Sequence, residues 1–175
     1  MCFSAISDII VTERLRLDLP VAGDAHRIAQ FASDPAVARM TSSLPHPYGR
    51  EDAEAFIGKV RALPPGREAV YAVRLQDQLI GVLGLHANAG RLELGYWYGR
   101  PYWGRGYATE AAIAALAWTR DHRGSRYVMA RHFTDNPASG EVLCKAGFLY
   151  TGEVVRLRSP ARDSEAPART MVWIA

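Results

Sequence analysis

The chain has 175 residues, 49% of them hydrophobic and 22% charged, which suits one packed domain with no need of a disulfide or metal staple and excludes a disordered chain. Its net charge of +3 is uneven: residues 1–99 carry 10 basic and 11 acidic side chains, residues 100–175 carry 11 and 7, an excess too small for nucleic acid and better matched to a small phosphorylated ligand. No window nears the ~20 apolar residues of a membrane span, the first ten residues lack the basic start of a secretory signal, and the two cysteines, Cys2 and Cys144, lie far apart, so a cytoplasmic setting is expected.

In chain order, residues 1–10 read as an extension, and TERLRLDL (12–19) alternates charged and apolar residues as a half-buried strand does. Asp24 is a candidate N-cap for a helix carrying Ala25, Ile28, Ala29 and Phe31. After the Pro-rich SSLPHPYGR, a second helix is expected over 50–63, with Ala53, Phe56, Ile57 and Val60 on one stripe, ended by Pro64-Pro65-Gly66. Three strands follow at 68–75, 78–86 and 91–99. Their links at Gln76-Asp77 and Asn88-Ala89-Gly90 are of hairpin length, which makes them antiparallel.

A Gly-rich turn, WGRG, then opens into an Ala-rich helix over 108–124. A strand (126–133), a short helix within 136–148, a strand (149–158), a polar loop (159–168) and a last strand (169–175) complete the chain. The order β-αα-βββ-α-β-α-ββ predicts an α/β domain with a mixed, mostly antiparallel sheet flanked by helices, spanning 1–175.

The segment RLELGYWYGRPYWGRGYATEAA (91–112) carries the most chemistry. Gly104 and Gly106 let backbone N–H groups approach a ligand, the first turn of the following helix favours phosphate, and Arg105 adds charge. A helix entry that merely needs small residues is the plainer alternative. A dinucleotide fold is disfavoured, because Thr109 stands where its third glycine belongs and the preceding strands form a meander.

YWGRGYATEA resembles the coenzyme-A pyrophosphate loop of the GNAT acetyltransferases, and in particular of the subgroup that acetylates ribosomal-protein N-termini. TERLRL (12–17), LELGYWY (92–98) and NPASGEVLCKAGF (136–148) resemble that subgroup's first strand, central strand and N-x-x-S…K-x-G-F segment, so the likeness covers nearly the whole chain. It implies an acetyl-CoA-dependent N-acetyltransferase, with no metal, acting by direct attack of a primary amine in a ternary complex. The amine is a protein N-terminus, ribosomal or other, or a small molecule. The cofactor would lie along Tyr96, Trp97 and Tyr98, with a strand N–H near Tyr96 or Trp97 polarising the thioester, and against Gly104, Arg105, Gly106, Tyr107, Ala108, Thr109, Asn136 and Lys145.

Glu93 is the candidate base: it alternates with Leu92 and Leu94 and shares a face with Gly95 and Trp97. A strand Glu paired to an arginine is the alternative. Ser139 is the candidate partner for the leaving sulfur, although Asn-Pro-Ala-Ser is also an ordinary helix-capping sequence. Three positions depart from the family pattern. Trp103 replaces a polar or basic first loop residue, Leu143 replaces a proton-donating Tyr, and Cys144 stands where Glu is frequent and reads as packing. The five histidines show no metal spacing. A silent coenzyme-A-binding module and a protein-terminus binder without turnover remain the competing classes.

Overall fold

The computed structural model describes residues 9–64, 66 and 68–175, so Cys2 and most of the expected N-terminal extension lie outside the described residues. Eight strands, β1 (Ile10–Val11), β2 (Leu15–Asp18), β3 (Ala69–Leu75), β4 (Gln78–Asn88), β5 (Arg91–Tyr98), β6 (Tyr127–Phe133), β7 (Leu149–Ser159) and β8 (Ser164–Ile174), form one sheet in the order β1-β2-β3-β4-β5-β6-β8-β7. Every neighbouring pair is antiparallel except β5–β6, which is parallel. The helices are α1 (Ala25–Ala32), α2 (Pro35–Ala38), α3 (Arg50–Arg61), α4 (Tyr107–Arg123) and α5 (Pro137–Lys145).

Alternation along the strands builds a core on each face. Leu15, Leu17, Tyr71, Leu83, Leu85, Leu94, Tyr98 and Met171 meet Ala111, Ala112, Ala115 and Leu116 of α4 and Leu143 of α5. On the opposite face Ala72, Val70 and Val82 meet Ile28 and Phe31 of α1 and Ala53, Ile57 and Val60 of α3. The two hairpins of the meander turn on Gln76-Asp77 and Ala89-Gly90, all four at positive φ, the backbone that matches the twist of two-residue hairpins.

Three local expectations are corrected. The segment 159–168 is not a loop: β7 runs to Ser159, a 3-10 turn covers Pro160–Arg162, and β8 begins at Ser164. Its polar composition reflects an exposed hairpin at the sheet edge. The short strand β1 and the four-residue α2, which Asp34 caps through the Ala36 N–H at 2.9 Å, are additional elements. Asp24 precedes α1 but its carboxylate does not cap that helix. It accepts from the Val21 N–H and forms a two-bond pair with the buried Arg74 at 2.8 and 2.9 Å, which Asp18 also meets at 2.7 Å.

Candidate active site

The parallel ladder between β5 and β6 contains only Glu93↔Met129 and Leu94↔Ala130, after which the strands part. Backbone polar groups alternate sides along a strand. Gly99 N–H bonds Ile80 C=O of β4, so Gly95 and Trp97 also turn toward β4, while Tyr96 and Tyr98 turn into the gap. The Trp103 indole donates to Tyr98 C=O at 2.7 Å, which is the physical use of that unusual loop residue. The N–H groups of Tyr96 and Tyr98 and the C=O of Tyr96 are left facing the gap. The geometry thus favours Tyr96 over Trp97 as the strand donor.

The gap opens into a cleft of about 1230 Å³ that crosses the sheet. Its lining brings together Glu93, Tyr96, Trp97, Tyr98, Gly104, Gly106, Tyr107, Ala108, Thr109, Asn136, Ser139 and Lys145; Arg105, which is exposed, is not part of it. At one end Gly104 (φ +70) and Gly106 (φ +79) hold left-handed backbone that L side chains adopt only with strain. Gly106 is the N-cap of α4 and supplies no side-chain oxygen, so the first-turn N–H groups of that helix are uncapped.

Two residues outside the sequence-based set shape this cradle. Arg14, after β1, donates to Glu110 at 2.6 Å and to Arg105 C=O at 3.1 Å, and its guanidinium lies 4.7 Å from the Tyr107 ring centroid. Thr12 adds a 2.6 Å bond to Glu110. Partial burial disfavours the Glu110 anion, but these bonds outweigh it and hold the carboxyl below the ordinary range. Arg14 thereby neutralises the one acidic side chain of the α4 first turn, where an anionic ligand would otherwise be repelled. Its only sequence signal was a cation on an exposed position of TERLRL.

Glu93 is on the expected face but engaged. Arg131 donates to both its oxygens, at 2.8 and 2.6 Å, and Asn88 adds a bond at 2.8 Å. Burial opposes its ionisation, yet the Arg131 and Asn88 bonds prevail and hold its carboxyl below the usual range. Asn136 caps α5, its side-chain oxygen accepting from the Ser139 N–H at 3.2 Å. The cap therefore belongs to Asn136, and the Ser139 hydroxyl is free for other work. It lies 2.9 Å from the Tyr96 hydroxyl, which also reaches Ser139 C=O at 3.2 Å. Burial pushes the Tyr96 phenol up, only partly offset by its bond to Ser139, so it stays a donor.

Tyr98 Oη is buried on the same wall and has no partner among the described residues. His132 is also buried, bonded to Phe133 C=O and the Tyr150 hydroxyl beneath Gly140 of α5, and forms part of the cleft lining. No group of three or more metal-ligating side chains occurs among the described residues, and no described helix is long and apolar enough to cross a membrane.

A strand left half-unpaired, a glycine cradle at positive φ and an uncapped helix start lie in one cleft, a geometry that can accommodate an extended, anionic, amide-bearing ligand. The model of the GNAT acetyltransferase domain matches residues 14–149, and the chain belongs to that family. It is 31% identical over 150 residues to the uncharacterized N-acetyltransferase YoaA of Bacillus subtilis, covering 82% of this chain and 84% of that one. Among solved structures, it superposes on Mycobacterium smegmatis RimJ in complex with CoA-disulfide with a TM-score of 0.85 at 17% identity, covering 98% of this chain and 89% of that one. The Salmonella typhimurium acetyltransferase that modifies the N-terminal serine of ribosomal protein L7/L12 gives 0.80 at 16% identity, covering 96% and 99%.

Proposed function

We propose that this GNAT-family protein is an acetyl-CoA-dependent N-acetyltransferase that transfers the acetyl group directly to a primary amine within a ternary complex. The observation that carries the reading is the coincidence of the parted β5–β6 strands with the Gly104–Gly106 cradle in a single cleft. The residues present fit acetyl-CoA. First-turn N–H groups of Tyr107, Ala108 and Thr109 would take the pyrophosphate, with Arg105 at the rim, the free backbone of Tyr96 and the Asn136 amide would take the pantetheine arm, and Lys145 lies toward its outer end. Acetyl-CoA supplies an activated thioester; the protein supplies alignment and charge stabilisation.

The Tyr96 N–H would polarise the carbonyl, a role that needs no side chain. Ser139 hydrogen-bonds the leaving sulfur: with Tyr96 donating to Ser139 Oγ, the serine proton is free to turn into the cleft. This hydroxyl pair stands in for the tyrosine that Leu143, buried in the core, cannot replace. Glu93, tied to Arg131 and Asn88, anchors β5 to β6 just before they part and is a weak proton acceptor. A protein N-terminus is the favoured acceptor class, supported by the likeness to acetyltransferases of ribosomal proteins. The test is calorimetric titration with acetyl-CoA, joined to thiol release with serine- and alanine-terminated peptides, spermidine and free amino acids. Binding with turnover on at least one amine is expected. Absence of acetyl-CoA binding refutes the reading, and binding without thiol release from any amine reduces the protein to a carrier module.

A further inference from the structure

With Glu93 committed to Arg131, the amine still needs somewhere to leave its proton. The register of β4 against β5 places His86 opposite Glu93 and Gly84 opposite Gly95, all four on the cleft face. The His86 ring lies back across Gly84: a β-carbon there would clash with Nε2, so only glycine admits this pose. Gly95 beside it has open space where its β-carbon would be. The two glycines make a bare stretch of sheet next to the Tyr96 N–H, and His86 Nε2 hangs over its edge. On the other side of the ring, Nδ1 lies 3.4 Å from Glu68 Oε2, with the two side chains 51% and 28% exposed. A carboxylate at Nδ1 favours the tautomer with the proton on Nδ1 and the lone pair on Nε2, toward the cleft.

We propose that His86, oriented by Glu68, is the proton acceptor for the incoming amine. This rests on the acetyl-transfer reading above. Nε2 takes one proton from the ammonium group, and the freed nitrogen lone pair forms the C–N bond at the thioester carbon. The C–S bond then breaks, its electron pair going to sulfur. The second nitrogen proton passes through water and Ser139 to the thiolate, while His86 returns its own to solvent. One ammonium and one thioester become one amide, one thiol and one released proton. Imidazole suits this step because it exchanges protons near neutral pH, where a carboxylate locked to a guanidinium does not. The charged groups around it are Glu68, with Arg123 bonded to the Glu68 carbonyl, and Glu93, with Arg131 behind it. Lys59 and Asp52 of α3 line the same cleft.

Two measurements test it. Nitrogen-15 NMR of the His86 ring in the full chain needs no acceptor. An Nδ1–H tautomer is expected, giving way to Nε2–H in Glu68→Ala; an Nε2–H tautomer in the unaltered protein, or an Nδ1–H tautomer that Glu68→Ala leaves in place, overturns the proposal. The pH dependence of turnover is then followed with whichever of a serine-terminated hexapeptide, an alanine-terminated hexapeptide or spermidine releases thiol. His86→Gln should lower kcat about 10²-fold and remove the acidic limb, with calorimetric acetyl-CoA affinity unchanged, whereas Glu93→Gln keeps that limb. An intact limb and near-normal kcat in His86→Gln overturn the assignment while leaving the acetyl-transfer reading standing. If the unaltered protein neither binds acetyl-CoA nor releases thiol with any of the three, the reading and the proposal fall together.

Discussion

Ser139→Ala separates chemistry from architecture, because the structure assigns the α5 cap to Asn136. The cap bond runs from the Ser139 backbone N–H to Asn136 Oδ1 and survives the substitution. What disappears is Oγ, and with it the 2.9 Å bond to the Tyr96 hydroxyl, which keeps Ser139 C=O at 3.2 Å as an alternative acceptor. The stability cost is that of one neutral hydrogen bond with a fallback, about 0.5–1.5 kcal/mol. For a chain of this size that is a fall in melting temperature of about 1–6 °C. Catalysis should suffer more. A hydroxyl that stabilises charge developing on sulfur in a partly dry cleft contributes about 1.5–3 kcal/mol, hence about 10- to 100-fold in kcat with little change in the KM for acetyl-CoA. Steady-state thiol release and a thermal melt on the same variant read both quantities. Normal kcat in the variant, whatever its melting temperature, would refute the assignment and leave the leaving group without a protein donor.

Gly106→Val puts a β-branched side chain at φ +79 where the backbone must approach phosphate and where Arg14 Nη2 lies 3.4 Å from the new β-carbon. Acetyl-CoA affinity should drop at least about tenfold, or ~1.4 kcal/mol, with near-normal circular dichroism, and an unchanged calorimetric affinity in the folded variant rules out the cradle. Glu93→Gln exchanges a two-bond ion pair for a neutral contact and should cost about 1.5–3 kcal/mol at neutral pH. Because the folded state holds the Glu93 carboxyl below its ordinary range, its contribution is complete above the unfolded pKa and is lost as pH falls through the lower, folded one. The stability gap between the two proteins, measured by urea denaturation, should therefore close below about pH 4, and a gap that persists in acid contradicts the ion-pair account.

The parts of the site that a reader could take from the sequence are those held by local geometry. Alternation along LELGYWY put Glu93 and Trp97 on one face and Leu94 and Tyr98 on the other, as the two cores bear out. The turn residues set the meander, and two glycines before an Ala-rich segment marked the helix start. What escaped depends on register between distant segments. Nothing near Glu93 announces Arg131, 38 residues on, until the parallel pairing of β5 and β6 sets them side by side. Asp24 looked like a cap because its neighbours are helical, yet a buried arginine in β3 outcompetes backbone N–H groups for a carboxylate.

This difference follows the division of labour within the cleft. The half facing α4 and α5 is built largely from glycines at positive φ, a helix cap and parted strands, features that each sit in a short stretch of sequence. The half facing α1 and α3 is walled by side chains from segments distant in the chain. Arg162, at the tip of the β7–β8 hairpin, bonds Arg39 C=O at 2.6 Å and both Asp135 oxygens at 2.9 Å. Ser159 Oγ donates to Thr41 C=O at 2.9 Å. These bonds clamp a hairpin that composition alone marks as a loop onto the segment after α2, where Met40, Thr41 and Ser42 line the cleft. Under the proposed function, the wall where an acceptor would lie is held by contacts between segments more than a hundred residues apart, which leave no motif, whereas the glycine cradle stands within ten consecutive residues.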